Sequence, residues 1–179
     1  MEDTIKRHPR LKPSQNQLCS AFMELINEKT YDSITIKEIC NRAGVIRENF
    51  YRDFKSKEEI IQLILEQKAM EFLQLADTIS IGNTHQLLIL FLKHCQEIHL
   101  LLKVLVDNRM LFLLFGPYAA TILPAVGQEH SMAKENGEQN YLPALWKGGL
   151  LGMIDEWVKN GYKTPPEILS EIFIKHLRY

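Results

Sequence analysis

One segment decides the fold of this chain: residues 35–51 read TIKEICNRAGVIRENFY. Thr35 is a good N-cap for a helix, and Glu38, three residues later, completes the pattern of a capping box. Gly44 ends that helix, because glycine readily adopts the left-handed backbone of a tight turn. A second short helix is predicted directly after this glycine. Two helices joined by a turn at one glycine are typical of a helix-turn-helix, which we place at residues 34–53.

This motif has an apolar side and a polar side. Four apolar residues are predicted to face inward and to fix the angle between the two helices; they are Ile36, Ile39, Val45 and Phe50. The outward residues of the second helix are then Arg47, Glu48, Asn49, Tyr51 and Arg52. Side chains of these types form hydrogen bonds with base edges and phosphates. Periodicity alone leaves two interpretations open, a DNA-binding surface and an ordinary solvated face on a short helical hairpin.

Helical patterns continue on both sides of the motif. The 179 residues include only nine glycines and seven prolines, and alternating apolar and polar residues are nearly absent, so strands have little support. We therefore predict an all-α chain, with a first helix from Ser14 and a long fourth helix that opens at Ser56 with Glu59 as its capping-box partner. The apolar stretch 84–115 is predicted as two helices that bend near Asp107. The remaining predicted boundaries are a stop at Gly116-Pro117, a helix from Tyr118, and two helices over residues 140–161 and 164–177.

The charge distribution limits the functional class. Hydrophobic residues make up 46% and charged residues 24% of the chain, which is ordinary for a globular protein. The net charge of −1 alone would argue against a nucleic-acid binder. However, residues 1–57 hold 11 lysines and arginines against 8 acidic residues, whereas residues 58–179 hold 10 against 14. The N-terminal segment is therefore the candidate for an anionic partner.

The sequence also indicates where the protein acts. No apolar run approaches the roughly 20 residues that span a bilayer, and residues 1–13 lack the apolar centre of a secretion signal. The three cysteines, Cys19, Cys40 and Cys95, have no CxxC spacing, which argues against a disulfide framework and against a four-thiolate zinc site. We expect a cytoplasmic protein that does not act at a membrane.

Residues 14–65 resemble the N-terminal domain of the TetR/AcrR family of bacterial transcription regulators. The family pattern has a threonine-initiated helix that ends in Ala-Gly-Val, here residues 43–45, followed by a recognition helix that leads into Phe-Tyr-x-x-Phe-Lys-x-Lys-Glu-Glu. Residues 50–59 read FYRDFKSKEE and match this pattern in one register. The resemblance implies a TetR-like all-α fold, with a three-helix helix-turn-helix DNA-binding domain at residues 8–68 and a helical ligand-binding and dimerisation domain at residues 69–179.

The resemblance also implies which residues meet double-stranded DNA. The residues implied to contact phosphates are Thr35, Tyr51 and Lys55. The residues implied to lie in the major groove are Arg47, Glu48 and Asn49, and Arg52 belongs to the same outward face. The family further implies a homodimer on a palindromic operator, more often a repressor released by a small ligand than an activator. An enzyme is not expected, because no nucleophile, base and stabiliser are recognisable together in the sequence.

Three residues depart from the family pattern. Ile46 replaces the small hydroxyl residue that usually caps the recognition helix, which forfeits about 1 kcal/mol unless another group substitutes. Glu48 and Asp53 place carboxylates on or beside the surface that should meet DNA. The alternative hypothesis is therefore a TetR-like adaptor that acts through a protein partner, with weak or no direct DNA binding. Residues 6–12, which read KRHPRLK, add cations that either reach the DNA backbone or form a solvated arm.

The C-terminal two thirds offer candidate residues without a recognisable constellation. An apolar cavity for a small apolar or aromatic effector would be lined by Phe91, His94, Cys95, His99, Arg109, Phe112 and Tyr118. An ordinary packed core is the stronger interpretation for most of these side chains. Cys95 and His99 lie one helical turn apart, but His94 points about 100° away from Cys95, so neither a metal site nor a cofactor is predicted.

A dimer interface is the expectation for the last two helices. The segment LWKGGLLGMIDEWVKNG at residues 145–161 resembles the penultimate helix of a TetR subgroup, which together with the final helix usually builds the dimer. Gly148 and Gly152 are four residues apart on one face, where the missing side chains allow another helix to approach closely. The candidate interface residues are Trp146, Gly148, Gly149, Gly152 and Trp157.

Overall fold

A computed structural model describes residues 12–79, 83–128 and 141–177, and the regular structure within these ranges is helical throughout. The helices are α1 (Pro13–Glu28), α2 (Ile36–Ala43), α3 (Arg47–Asp53), α4 (Lys57–Ala76), α5 (Thr84–Glu97), α6 (His99–Asp107), α7 (Phe112–Gln128), α8 (Leu142–Lys159) and α9 (Pro166–Leu177). A 3-10 turn, Tyr31–Ser33, lies between α1 and α2. The predicted all-α class is thereby confirmed. None of the helices in these ranges is long and apolar enough to cross a membrane.

The chain divides into two compact units, residues 1–63 and residues 64–179, which we name the N-terminal unit and the C-terminal unit. Helix α4 contributes its first turns to one unit and the rest to the other. The boundary predicted between residues 68 and 69 falls in the same helix.

The core of the N-terminal unit is apolar and forms between its first helices and the start of α4. The fully buried side chains include Leu18, Phe22, Ile34, Ile39, Phe50, Ile60 and Ile61. Ile39 and Phe50 were predicted to face inward and have no exposed surface, whereas Ile36 and Val45 are half-buried. Burial of such side chains supplies about 1.5–3 kcal/mol each, so the core holds α2 and α3 in one arrangement.

A surface ion pair adds to the contact between α1 and α2. The two terminal nitrogens of the Arg42 guanidinium each donate to a carboxylate oxygen of Glu28 at 2.8 Å, and one of them also reaches Glu24 at 3.1 Å. The hydrogen bond from Arg42 lowers the pKa of Glu28. A fork of this kind fixes geometry better than a single contact, so α2 is held on α1 both from the core and from the surface.

Two helix boundaries in the C-terminal unit differ from the prediction. The apolar stretch contains an additional break at Ile98, which separates α5 from α6. The predicted stop at Gly116-Pro117 is wrong, because α7 begins at Phe112 and continues through both residues. A stripe of buried side chains crosses the proline, namely Leu114, Phe115, Tyr118 and Ile122. Burying this stripe outweighs the cost of about 3 kcal/mol for a proline inside a helix.

The predicted break near Asp107 is confirmed, and it is a tight turn. Arg109 has a φ of 57°, in the left-handed region. The Met110 backbone N–H donates to the Leu105 carbonyl at 2.7 Å, and the Asn108 side-chain amide donates to the Val104 carbonyl at 2.8 Å. These hydrogen bonds satisfy the last carbonyls of α6, so the helix ends here although no glycine is present.

Candidate functional site

Helix α3, the predicted recognition helix, is buried on one side and exposed on the other. The turn before it has the predicted geometry: Gly44 has a φ of 65°, and the Val45 N–H donates to the Cys40 carbonyl at 3.0 Å. Phe50 is fully buried and packs against Phe54, with the two ring centroids 5.8 Å apart. On the other side of α3 the side chains of Arg47, Glu48, Tyr51 and Arg52 are exposed, and Asn49 is half-buried. The structure therefore brings the predicted outward residues onto one accessible surface, which we name the α3 face.

Arg47 and Tyr51 support each other on the α3 face. The Arg47 guanidinium donates to the Tyr51 hydroxyl at 3.1 Å and lies 5.7 Å from the centre of the Tyr51 ring. The ring of Tyr51 in turn meets Phe50 edge to face, with the centroids 5.3 Å apart. A phenol and a guanidinium that are held side by side can each donate to a phosphate oxygen at little further cost in side-chain entropy.

Helix α3 begins without a side-chain cap. Ile46 stands at the N-cap position and makes no capping hydrogen bond, as its apolar side chain requires. Its side chain is 63% exposed, which is unusual for isoleucine. The first backbone N–H groups of α3 have no side-chain acceptor at that position, so the loss of capping expected from the sequence is confirmed, and an apolar group stands exposed beside the α3 face.

Thr35 caps α2 as predicted, but its hydrogen-bond donors are already used. Its hydroxyl accepts from the Glu38 N–H at 3.2 Å, while that hydroxyl and the Thr35 N–H donate to a Glu38 carboxylate oxygen at 2.8 Å and 2.9 Å. The Lys29 ammonium also pairs with Glu38, and these contacts, led by Lys29, lower the pKa of Glu38 to about 2. A phosphate contact from Thr35 therefore requires Glu38 to give up part of the capping box.

Asp53 is a paired carboxylate and does not face solvent. Its side chain has no exposed surface, and its two oxygens accept from the Lys12 ammonium at 2.6 Å and from the Ser14 hydroxyl at 2.8 Å. Asp53 therefore places a carboxylate at the end of α3, but its charge is paired with the Lys12 ammonium. Glu48 differs, because it is exposed and no described residue pairs with it.

The two lysines that follow α3 have different roles. Lys55 is exposed, and no described residue pairs with its ammonium. The Lys57 ammonium donates to the Tyr31 and Ile34 carbonyls at 2.9 Å and 2.8 Å and lies 4.1 Å from the centre of the Tyr31 ring. Burial lowers the pKa of Lys57. The ammonium of Lys55 is thus available to bind a phosphate. The ammonium of Lys57 instead stabilises the segment that joins α1 to α2.

The start of α4 differs in detail from the predicted capping box. The helix begins at Lys57, and the Glu59 carboxylate accepts from the backbone N–H of Lys55 at 2.7 Å, where the sequence predicted Ser56 as its partner. Of the basic segment at residues 6–12, residues 6–11 lie outside the described residues and Lys12 is described.

The predicted ligand-pocket residues fall into two groups. Phe91, His94, Cys95 and Tyr118 are buried together, and the His94 Nε2 lies 2.9 Å from the Tyr118 hydroxyl oxygen. Phe72, which is not among the predicted pocket residues, packs on this group with its ring centroid 5.6–5.8 Å from those of the Phe91, His94 and Tyr118 rings. The only sequence feature that indicates burial of Phe72 is its position among the apolar residues of α4. We name these five residues the aromatic core.

The other three predicted pocket residues, His99, Arg109 and Phe112, are exposed and do not join the aromatic core. Each of these residues lies at or near a helix end, where the spacing of apolar residues is a poor predictor of burial. Arg109 and Phe112 line a separate open groove of about 640 Å³, which also includes Gly152 and Leu151. In the described part of the chain, no three His, Cys, Asp or Glu side chains are grouped to hold a metal ion.

The predicted dimer residues also divide. Trp146 and Trp157 are buried within the chain, and the Trp157 indole N–H donates to the Thr164 carbonyl at 2.8 Å, so both act in the core of the C-terminal unit. Gly149 faces α9, because a Cβ atom there would lie 3.6 Å from the Phe173 ring. At Gly148 and Gly152 a Cβ atom would meet no described residue within 4 Å. Among the five predicted interface residues, these two therefore have no described neighbour above them that would block the approach of another chain.

The geometry of the N-terminal unit defines a helix-turn-helix, and sequence comparison finds a family to which this part of the chain is similar. Residues 18–64 match the family described as bacterial regulatory proteins, tetR family. The matched residues run from α1 into α4 and so take in the helix-turn-helix.

Similar proteins cover more of the chain than the family match does. The uncharacterized HTH-type transcriptional regulator YxbF of Bacillus subtilis is 25% identical over 181 residues, which take in 94% of this chain and 45% of YxbF, so the chain spans less than half the length of this relative. Among solved structures, Lin0861 of Listeria innocua is 20% identical with a TM-score of 0.71, covering 98% of both chains. The dihydroxyacetone kinase operon activator DhaS is 17% identical with a TM-score of 0.58, covering 92% of this chain and 93% of DhaS. At these identities the two structures show a shared fold, which takes in the described helices of both units.

Proposed function

We propose that this protein regulates transcription by binding double-stranded DNA sequence-specifically through the α3 face. The observation that carries the proposal is the contrast between the two sides of α3: Phe50 is fully buried, while Arg47, Glu48, Tyr51 and Arg52 are exposed. A helix that is held rigidly by one side and presents hydrogen-bonding side chains on the other is suited to the major groove of B-DNA.

The residues of the α3 face have different roles in this proposal. Tyr51 and Lys55 bind phosphates and set the position of the domain on the duplex without reading its sequence. Arg47 and Asn49 hydrogen-bond to base edges, and Glu48 accepts from a cytosine amine. The exposed Ile46 contacts a thymine methyl group. This contact would explain why an apolar residue occupies the N-cap position of α3, where it cannot cap the helix.

The proposed assembly is a homodimer on a palindromic operator. One short recognition helix reads few base pairs, and a two-fold dimer places two such helices about 34 Å apart along the DNA. Support comes from apolar side chains that the single chain leaves exposed on its last two helices: Leu145 on α8, and Ile168 and Ile172, one turn apart on α9. Gly148 and Gly152 lie on the same stripe of α8 as Leu145 and have open space above them.

Oligomeric state in solution tests the dimer. Ile172→Glu places a charge on the exposed stripe of α9 and is expected to convert a dimer to a monomer in sedimentation and to weaken operator binding. Leu75→Glu is the matched control, because Leu75 is similarly exposed, at 49% against 45% for Ile172, but lies on α4. A wild-type protein that sediments as a monomer at micromolar concentration would contradict the proposed assembly.

The proposed regulation is repression that a small apolar or aromatic effector releases. The aromatic core supports it, because the His94 and Tyr118 pair provides a hydrogen-bonding group beside the apolar side chains of Phe72, Phe91 and Cys95. An effector that binds there stabilises the C-terminal unit by an amount that rises with the logarithm of the ratio of its concentration to its dissociation constant. Indole and hexanol, as aromatic and aliphatic probes, are expected to raise the unfolding temperature and to lower affinity for the operator. Probes that raise the unfolding temperature and leave DNA affinity unchanged would contradict release by such a ligand.

Selection of bound fragments from random duplexes, followed by affinity measurements over a range of salt concentrations, tests the DNA-binding proposal. Direct binding predicts an enriched sequence with two-fold symmetry and an affinity that falls steeply with salt, since each phosphate contact adds about 0.9 to the slope. The alternative, an adaptor that acts through a protein partner, predicts no enrichment and no salt-dependent binding. That alternative drew on the carboxylates of Glu48 and Asp53, and only Glu48 remains unpaired.

A further inference from the structure

The strongest unexplained feature of the N-terminal unit is the environment of Asp53. Its carboxylate is enclosed at the end of the recognition helix, although aspartate is rarely buried unless it is paired. One oxygen accepts from Lys12 and the other from Ser14, and the Arg52 guanidinium lies 3.6 Å away. The hydrogen bond from Lys12 is the main cause that lowers the pKa of Asp53, so the group is ionised at neutral pH.

The partners of Asp53 come from a single place in the chain. Lys12 immediately precedes α1 and Ser14 lies in its first turn, whereas Asp53 is the last residue of α3. The carboxylate therefore joins the end of the recognition helix to the point where the basic segment KRHPRLK enters the first helix. An ammonium has three N–H donors, so Lys12 can bind Asp53 and still donate to a phosphate. Lys12 remains 58% exposed while it does so.

We propose that Asp53 is a positioning residue for DNA: it holds Lys12 and the start of α1 beside the recognition helix, so that Lys12 contacts the DNA backbone next to the bases that α3 reads. The inference rests on the proposed function. It reverses the simple electrostatic expectation, under which a carboxylate close to DNA only repels phosphates. Two cations, Lys12 and Arg52, surround this single carboxylate, so the cluster keeps a net positive charge.

The test measures binding of a random-sequence duplex of about 30 base pairs by fluorescence anisotropy over a series of salt concentrations. Asp53→Asn is expected to weaken binding about three- to tenfold and to lower the salt slope by about one phosphate contact. Glu48→Gln is the matched control, because it removes the same charge from an exposed, unpaired carboxylate on the same helix. It is expected to tighten binding to this duplex.

A double-mutant comparison separates positioning from repulsion. Lys12→Ala is expected to weaken binding in the wild-type background and to have little further effect in Asp53→Asn, because the two residues act as one contact. Equal effects of Lys12→Ala in both backgrounds would overturn the proposal, and so would tighter binding by Asp53→Asn. If Asp53→Asn unfolds, Ser14→Ala removes one of the two contacts and is expected to weaken binding in the same direction; unchanged binding would overturn the proposal. A wild-type protein that binds no duplex at low salt would instead refute the proposed function itself.

Discussion

The N-terminal and C-terminal units use their polar side chains differently. In the N-terminal unit, ion pairs between distant positions include an exposed cation, as Arg42 with Glu28 and Lys12 with the enclosed Asp53 show. In the C-terminal unit, the most buried polar contact joins His94 to Tyr118 inside the aromatic core. The ion pairs of the N-terminal unit leave charged groups accessible to a charged partner. The polar atoms of His94 and Tyr118 are instead accessible only to an enclosed small molecule or to a neighbouring core side chain.

The largest expected effect comes from removing an aromatic anchor of either unit. Phe50→Ala and Phe91→Ala each empty a fully buried site and are expected to lower the free energy of unfolding by about 3–5 kcal/mol. Both tryptophans of the chain lie on α8, so tryptophan fluorescence reports on the C-terminal unit alone. Phe50→Ala should abolish DNA binding and move the fluorescence-detected transition little, whereas Phe91→Ala should shift that transition strongly. Equal shifts in both variants would show that the two units unfold as one.

A smaller effect is expected from the buried polar pair. Tyr118→Phe leaves His94 Nε2 without its hydrogen-bond partner and is expected to cost about 1–3 kcal/mol in the fluorescence-detected unfolding of the C-terminal unit. Tyr51→Phe removes a hydroxyl that is exposed in the N-terminal unit and serves as the matched control, with a change close to zero. An equally small effect at Tyr118 would remove the distinction between an enclosed and an exposed polar contact.

The same pair predicts a pH dependence confined to the C-terminal unit. Burial lowers the pKa of His94, so the folded state favours the neutral ring. Stability is therefore full above the ordinary histidine pKa of about 6.5 and falls as the pH drops through that value towards the lowered pKa, by at most about 1.4 kcal/mol per pH unit. His94→Gln should flatten this dependence in urea unfolding between pH 5 and 8. A slope that persists in His94→Gln would assign the effect to other groups.

The smallest expected effect compares one helix cap from each unit. Thr35 caps α2, and the Asn83 side chain caps α5 by accepting from the Gln86 N–H at 3.0 Å. Thr35→Ala and Asn83→Ala should each cost about 1 kcal/mol. Only Thr35→Ala should also weaken DNA binding, and Thr35→Ser should retain both stability and affinity. Loss of affinity in Asn83→Ala would contradict a division of function between the units.

The sequence predicted the N-terminal unit well because its local signals agree. A capping threonine, a glycine with positive φ and a buried Phe50 each require one geometry, and all three are confirmed. The burial and pairing of Asp53 could not be predicted, because its partners Lys12 and Ser14 lie about forty positions away in the sequence and no local pattern links them.

The C-terminal unit was predicted less well, since apolar periodicity identifies helices but not their neighbours. The sequence predicts a helix end at Pro117, but α7 continues past it because Tyr118 and Ile122 are buried. Arg109 and Phe112 were assigned to a pocket by composition, and the turn at residues 108–111 leaves both exposed. Whether these residues are buried depends on packing between helices that are far apart in the sequence, and no local sequence pattern records that packing.

One measurement tests the central claim most directly: the affinities of Lys55→Ala and Asn49→Ala for the selected duplex and for a scrambled duplex, each at several salt concentrations. If the α3 face binds DNA, Lys55→Ala should weaken binding to both duplexes by a similar factor and lower the salt slope by about one. Asn49→Ala should instead lower the ratio of the affinity for the selected duplex to that for the scrambled duplex. It should cost about 1–3 kcal/mol of binding free energy for the selected duplex and leave the affinity for the scrambled duplex unchanged. Equal effects of both variants on both duplexes, or no effect of either, would contradict the account.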